Sequence, residues 1–166
     1  SIDFVQSYTG SKIPANLTRT IINNNYKKIE TETIYIDIPK GIDNNEIITL
    51  SNKGNCFNYK YSDLKIIINI NNNSQFMREG LNIIYNKHIT FKESLTGINF
   101  ILNHINNRKY KITNNIGEIL TSNSCIILSK LGFTRDDYSG DLIIKFIIDY
   151  PKQLSNDIVE KLKTIL

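Results

Sequence analysis

Two histidines, two cysteines and a few close carboxylates are the residues of this chain whose types could do chemistry. His88 and His104 share no His-x-x-x-His or His-Glu-x-x-His spacing, the patterns that aim two imidazoles at one metal. Each reads as an ordinary surface or strand residue. Cys56 and Cys125 lie far apart with no Cys-x-x-Cys pair. That excludes a cysteine-rich zinc module and a disulfide framework, and fits a reducing compartment. There is no Gly-x-Ser-x-Gly elbow and no glycine-rich phosphate loop. Arg135-Asp136-Asp137 offers an acidic pair of the kind that acid–base chemistry can use. Between Gly132 and Gly140, however, it reads as a solvated loop. Asp63 and Asp141 each precede an Ile-rich run and read as turn or cap residues. No catalytic residue, metal or cofactor is assigned, and an enzyme is disfavoured.

The scaffold is easier to read. A chain of 166 residues makes one domain or two small ones, and can bury roughly two-thirds of its unfolded surface. Its 40% hydrophobic and 22% charged content argues against disorder. No apolar run approaches the ~18 residues of a transmembrane helix. Residues 2–10 have neither a basic nor an apolar leader region, so no secretory signal is expected. The net charge of +4 is scattered rather than stacked in the stripe of a nucleic-acid binder. Neither nucleic acid nor membrane is an expected partner. The 32 Ile and 23 Asn against 2 Val point to A/T-rich codons, so the Asn runs at 23–25 and 71–73 are loop filler.

β signals dominate. Ile34, Ile36 and Ile38 alternate with Tyr35 and Asp37, the period of a strand buried on one face. Ile13, Ala15 and Leu17 alternate with Pro14 and Asn16 in the same way. Residues 64–70 and 142–148 are short Ile-rich runs that read as well-buried strands. Glycines stand at the edges of these runs, where turns need unusual backbone angles. Residues 91–95 read as one helical turn before Gly97. Residues 155–166 read as the one extended helix. Pro151 precedes it, Ser155 can cap it, and Leu154, Ile158, Leu162 and Ile165 form an apolar stripe.

The chain also repeats itself. Leu50-Ser51-Asn52-Lys53-Gly54 followed by Asp63-Leu64 returns as Leu128-Ser129-Lys130-Leu131-Gly132 followed by Asp141-Leu142, both offset by 78 residues. A Thr-Gly stands upstream of each block, in Tyr8-Thr9-Gly10 and Leu95-Thr96-Gly97. Two copies of one all-β unit are expected, with the boundary in the polar stretch 71–80.

The ordered set of motifs resembles the C-terminal substrate-binding region of DnaJ-type J-domain co-chaperones. Ile38-Pro39-Lys40-Gly41-Ile42 is similar to that family's Ile-Pro-x-Gly element. Ser62-Asp63-Leu64 and Gly140-Asp141-Leu142 resemble its two Gly-Asp-Leu turns. Phe76-Met77-Arg78-Glu79-Gly80 resembles its Phe-x-Arg-x-Gly boundary, and Phe91 to Gly97 its Leu-x-Glu-Ala-Leu-x-Gly turn. Asp149-Tyr150-Pro151 resembles the Phe-Pro before its last helix. The likeness spans residues 4–166. Two departures are Ser62 in place of the first glycine, and the lack of a strand before Tyr8-Thr9-Gly10.

The resemblance implies an all-β chain: two tandem β-sandwich-like subdomains, then a C-terminal dimerisation helix. The divisions are 1–74, 75–153 and 154–166. It implies capture of unfolded polypeptide clients and their hand-over to a DnaK-type chaperone ATPase, by a homodimer in the cytoplasm (a host's, if the genome is viral). Stimulation of that ATPase belongs to a J domain, whose His-Pro-Asp motif is not in this chain. Without Cys-x-x-Cys-x-Gly-x-Gly repeats the chain resembles the subtype lacking a zinc module. The implied client groove is Ile13, Ala15 and Leu17 with Ile66 on the strand after the first Asp-Leu. Physical reasoning agrees that a groove for unfolded chains needs apolar side chains beside an accessible strand edge. The implied contact for the partner's acidic tail is Lys12 alone. Ile13 stands where a second lysine is usual, and Arg19 lies two residues beyond Leu17. The implied dimer contacts are Leu154, Ile158, Leu162 and Ile165. The alternative is a β-sandwich structural or assembly protein outside any chaperone cycle.

Overall fold

The computed structural model describes residues 1–24 and 26–165. β1 (Ile2–Asp3) runs straight into α1 (Phe4–Thr9), because Asp3 and Gln6 form a capping box. The Gln6 N–H donates to the Asp3 carboxylate at 2.6 Å, and the Asp3 N–H to the Gln6 side chain at 2.9 Å. β2 (Ser11–Asn23) and β3 (Tyr26–Ile38) then form a long antiparallel hairpin in unbroken register, Ser11 opposite Ile38 and Asn23 opposite Tyr26. β4 (Ile47–Leu50) pairs with β7 (Leu64–Ile67). Between them, the small hairpin of β5 (Cys56–Phe57) and β6 (Lys60–Tyr61) joins the far end of β2. β8 (Ile70–Asn71) returns beside β1 in parallel.

The second subdomain begins with β9 (Phe76–Glu79) and β10 (Asn82–Thr90), then α2 (Phe91–Thr96). The hairpin of β11 (Asn99–Asn103) and β12 (Lys109–Thr113) follows. After it come β13 (Cys125–Leu128), the short pair β14 (Thr134–Arg135) and β15 (Tyr138–Ser139), and β16 (Leu142–Asp149). The main sheet has the order β13-β16-β10-β9. α3 (Asn156–Ile165) closes the chain, its first bond running from the Val159 N–H to the Ser155 carbonyl.

The repeat read from sequence is present in hydrogen bonds. Asp63 accepts the Asn52 N–H at 3.0 Å, and Asp141 accepts the Lys130 N–H at 2.9 Å. The Gly54 N–H donates to the Ser62 carbonyl at 2.7 Å, and the Gly132 N–H to the Gly140 carbonyl at 2.8 Å. The aspartates therefore hold turns. The capping box of α1 recurs at α2, where Thr90 and Glu93 take the two roles. The Thr90 N–H and the Thr90 hydroxyl both donate to the Glu93 carboxylate and hold it below its ordinary range.

The short strand expected to be lacking before Tyr8-Thr9-Gly10 is present as β1, paired with β8, and two further sequence expectations change. The run 64–70 is not a single well-buried strand. β7 ends at Ile67, which is exposed, and only Ile68 is buried. Its sheet has two strands and a core on one face only, so alternate isoleucines meet water. By contrast β16 lies between two strands and is buried at Leu142, Ile144 and Phe146. His104 is the second change. Rather than lying on a surface or strand, it sits just after β11, 3% exposed, with Tyr8, Phe76 and Tyr110 rings each 5.8 Å from its own.

The two subdomains meet along a packed seam. Ile2 belongs to the core of Ile34, Ile36, Ile38, Ile42 and Ile68. Two residues later, Phe4 enters the other core, edge-on to Phe133 at 5.3 Å. The Arg78 guanidinium lies 4.1 Å from the centre of the same Phe133 ring. It donates to the carbonyls of Gly41 at 2.8 Å and Ile42 at 2.6 Å. Gly41 is required there: its φ is +73°, and a Cβ would come within 2.5 Å of the Thr134 carbonyl oxygen. At the rim, Arg135 grips Glu46 through two bonds, one of them 2.8 Å, and holds that carboxyl below its ordinary range.

His104 gives this seam a pH dependence. Burial holds its pKa below the ordinary histidine value of 6.5, and its Nε2 meets no partner among the described residues. The folded state therefore disfavours a proton that the unfolded chain accepts. Its contribution to stability is complete above pH 6.5 and is lost as the pH falls through the lowered folded value. Urea titrations at about pH 7 and about pH 5 are expected to show this loss. His104→Phe should flatten the difference relative to the parent, and equal slopes in both proteins would contradict it.

Candidate functional site

The alternation of β2 builds one half-buried row: Ile13, Ala15 and Leu17 face the first core, while Lys12, Pro14, Asn16 and Thr18 face water. Ile66 of β7 packs half-buried against the same core. The four groove residues expected from sequence thus share one apolar cluster, floored by buried Ile34 and Ile36. β2 is bonded to β3 along its whole length. Its other edge is paired only at Ile21 and Ile22, to β5. The Thr20 N–H is taken by the Asn55 side chain at 2.9 Å, so residues 11–19 present the open edge next to partly accessible apolar side chains, the arrangement that strand addition uses.

Charge closes one end of the row. Arg19 lies two places beyond Leu17 on the same face, with its Nε and one terminal nitrogen 2.9 and 2.7 Å from Glu30. It stacks over Tyr61 at 5.0 Å. Glu32, opposite Leu17, binds Lys53 at 2.9 Å. The bond from Arg19 keeps Glu30 ionised below the ordinary range. These partners lie far apart in sequence, and only the hairpin register brings them together. Arg19 is committed to them. Lys12 points away from the row and pairs with Asp37 at 3.3 Å, so the structure does not bring it together with the groove residues. A cleft of about 450 Å³ beside Glu32, Ile34, Leu50 and Lys53 opens along β3 and β4, and none of the four groove residues lines it.

The terminal stripe lines a different site. Leu154, Ile158 and Leu162 form one wall of an apolar cleft of about 610 Å³, opposite Phe91, Leu95 and Tyr150. Leu154 and Leu162 are half-buried, Ile158 is 45% exposed and Ile165, outside the cleft, is 78% exposed. No residue of α3 from 156 to 165 is fully buried. Among the described residues no group of three or more His, Cys, Asp or Glu could hold a metal. Among the described residues no helix is long and apolar enough to cross a membrane.

Comparison with known proteins agrees with the motifs. Residues 1–151 match the family model of the DnaJ C terminal domain. The chain is 32% identical over 136 residues to a DnaJ homolog subfamily A member 1 homolog from Dictyostelium discoideum, covering 80% of this chain and 30% of the relative. It is 26% identical over 141 residues to chaperone protein dnaJ 2 of Arabidopsis thaliana, covering 82% and 34%. It is 27% identical over 138 residues to chaperone protein DnaJ of Clostridioides difficile (strain 630), covering 81% and 35%. The chain thus spans about a third of the length of these curated relatives. With its motifs in order, its unit repeated and the family model matched over nearly its whole length, the chain belongs to the DnaJ C-terminal domain family.

Proposed function

We propose that this chain is the client-binding module of a co-chaperone, which captures unfolded polypeptide segments and delivers them to a DnaK-type ATPase. The observation that carries this reading is the open edge of β2 beside the half-buried row Ile13, Ala15, Leu17 and Ile66. An extended client would add its backbone to that edge and bury alternate apolar side chains against Ile34 and Ile66. In this reading residues 1–74 hold the groove, 75–153 support it and 154–166 dimerise. The module belongs to the subtype without zinc and acts in the cytoplasm. Lys12, bridged to Asp37, gives the partner's acidic tail only a weak, salt-screened contact. The test is suppression of aggregation of a denatured model protein, with and without a DnaK-type ATPase. Suppression by the chain alone supports capture, and higher refolding yield with the ATPase supports delivery. No suppression at stoichiometric excess would refute the reading.

The α3 cleft supports the dimer. A ten-residue helix with an apolar stripe in water is marginal unless packed. The stripe of a second copy would fill the cleft between α2 and α3. Light scattering is expected to show a dimer at concentrations on the order of tens of micromolar, and a folded monomer once the chain ends after Pro151. A monomeric intact chain would rule the interface out.

A further inference from the structure

The far end of the β2–β3 hairpin extends beyond both core clusters, and its outer face is built unlike the rest of the sheet. Across the strands, Lys27, Ile22, Phe57 and Lys60 stand in register as one row. Phe57 is 64% exposed, and Ile29, one step along the same face, 67%. Tyr59 at the tip of the small hairpin is 76% exposed. Residues 20–29 and 55–61 carry no Asp or Glu, and all their charges are lysines. Lys27 and Lys60 make no ion pair with the described residues.

The tip is bonded to the strand beside it, and it is held at a cost. The β5–β6 turn takes φ +47° at Asn58 and +63° at Tyr59. Glycine is at ease in the second of these places and a bulky side chain is not. Tyr59 gains no burial in return. The turn is nevertheless fastened to β2: the Asn58 N–H donates to the Ile22 carbonyl at 2.9 Å, and the Tyr59 N–H to the Asn23 side chain at 2.8 Å. Beneath it, buried Ile21 and Cys56 form a pedestal. A strained aromatic left largely exposed points to an outside partner.

From this geometry we propose that the hairpin end docks peripherally on an anionic bilayer surface. Phe57 and Ile29 would enter the acyl boundary and Tyr59 the headgroup level, while Lys27 and Lys60 would meet the lipid phosphates. The shape favours a bilayer over a peptide, because the side chains stand on a protruding tip and neither described cleft reaches them. This site is separate from the client groove, which lies on the opposite face.

The test is co-sedimentation of the full chain with phosphatidylcholine vesicles, with and without about 30% phosphatidylserine. Binding is expected only with phosphatidylserine, and it should fall with salt. Lys27→Glu with Lys60→Glu should weaken it by at least about tenfold. Phe57→Ser with Tyr59→Gly should weaken it as much while aggregation suppression stays unchanged. Tyr59→Gly alone should hold or raise the melting temperature, since it relieves the turn. Equal binding to neutral vesicles, or full binding by both double variants, would overturn the proposal. So would a chain that ignores vesicles but binds an acidic peptide through the same lysines, which would make the tip a protein contact.

Discussion

Leu17→Asp is expected to lower affinity for an unfolded client peptide by roughly 30- to 100-fold, the equivalent of about 2–3 kcal/mol. The loss arises because a client lying along β2 would seal the new carboxylate between apolar groups with no cation to meet it. Arg19 is the nearest candidate, but it is already held by Glu30 and Glu32. Leu17 is half-buried rather than buried, so in the free protein the carboxylate can reach water and the fold survives. Ile66→Asp should behave alike. Circular dichroism and melting provide the control, and fluorescence anisotropy with a labelled apolar peptide provides the readout. A folded variant with unchanged affinity would remove Leu17 from the groove. An unfolded one would make it a core residue.

Phe133→Ala is expected to cost about 3–5 kcal/mol, the range for deleting a buried aromatic side chain. For a chain of this size that corresponds to a fall of roughly 6–20 °C in melting temperature. Phe133 has no exposed surface and takes edge contacts from Phe4 at 5.3 Å and Tyr8 at 5.5 Å. It is also the face on which Arg78 lies. The cavity would loosen both α1 and the guanidinium that bonds Gly41 and Ile42, so the subdomains should lose their mutual order together. Differential scanning calorimetry would test this: a single lower transition is expected if the seam is integral to folding. A variant melting within a degree or so of the parent would show that the seam is not integral.

The parts of this fold set by neighbouring residues were legible in the sequence. Alternation along 13–17 and 34–38 placed β2 and β3, and the stripe from Leu154 placed α3. The repeated Asp-Leu blocks announced two equivalent units. α1 escaped because six residues cannot show a helical period. Its only signal was Asp3 followed three places later by Gln6, the same signature that Thr90 and Glu93 give α2. The excess of Ile hid the difference between 64–70 and 142–148, because strand burial depends on how many neighbours the sheet supplies. The groove row could be read as a face of a strand. Its closure by Arg19, Glu30, Glu32 and Lys53 could not, since that cluster is created by hairpin register. The burial of His104 likewise needs Tyr8, which arrives from the other subdomain.

The crossing of α1 into the second core also orders events during synthesis. Phe4 and Tyr8 leave the ribosome well before the ring that receives them, which belongs to Phe133. At translation rates of roughly 5–20 residues per second, the intervening chain takes roughly 6–26 s to emerge. For that interval the nascent first half carries two unsheltered aromatic side chains next to an open strand edge. Under the proposed function, the module thus passes through a stage in which it resembles the unfolded segments it would capture. A copy already folded nearby would be well placed to shelter it.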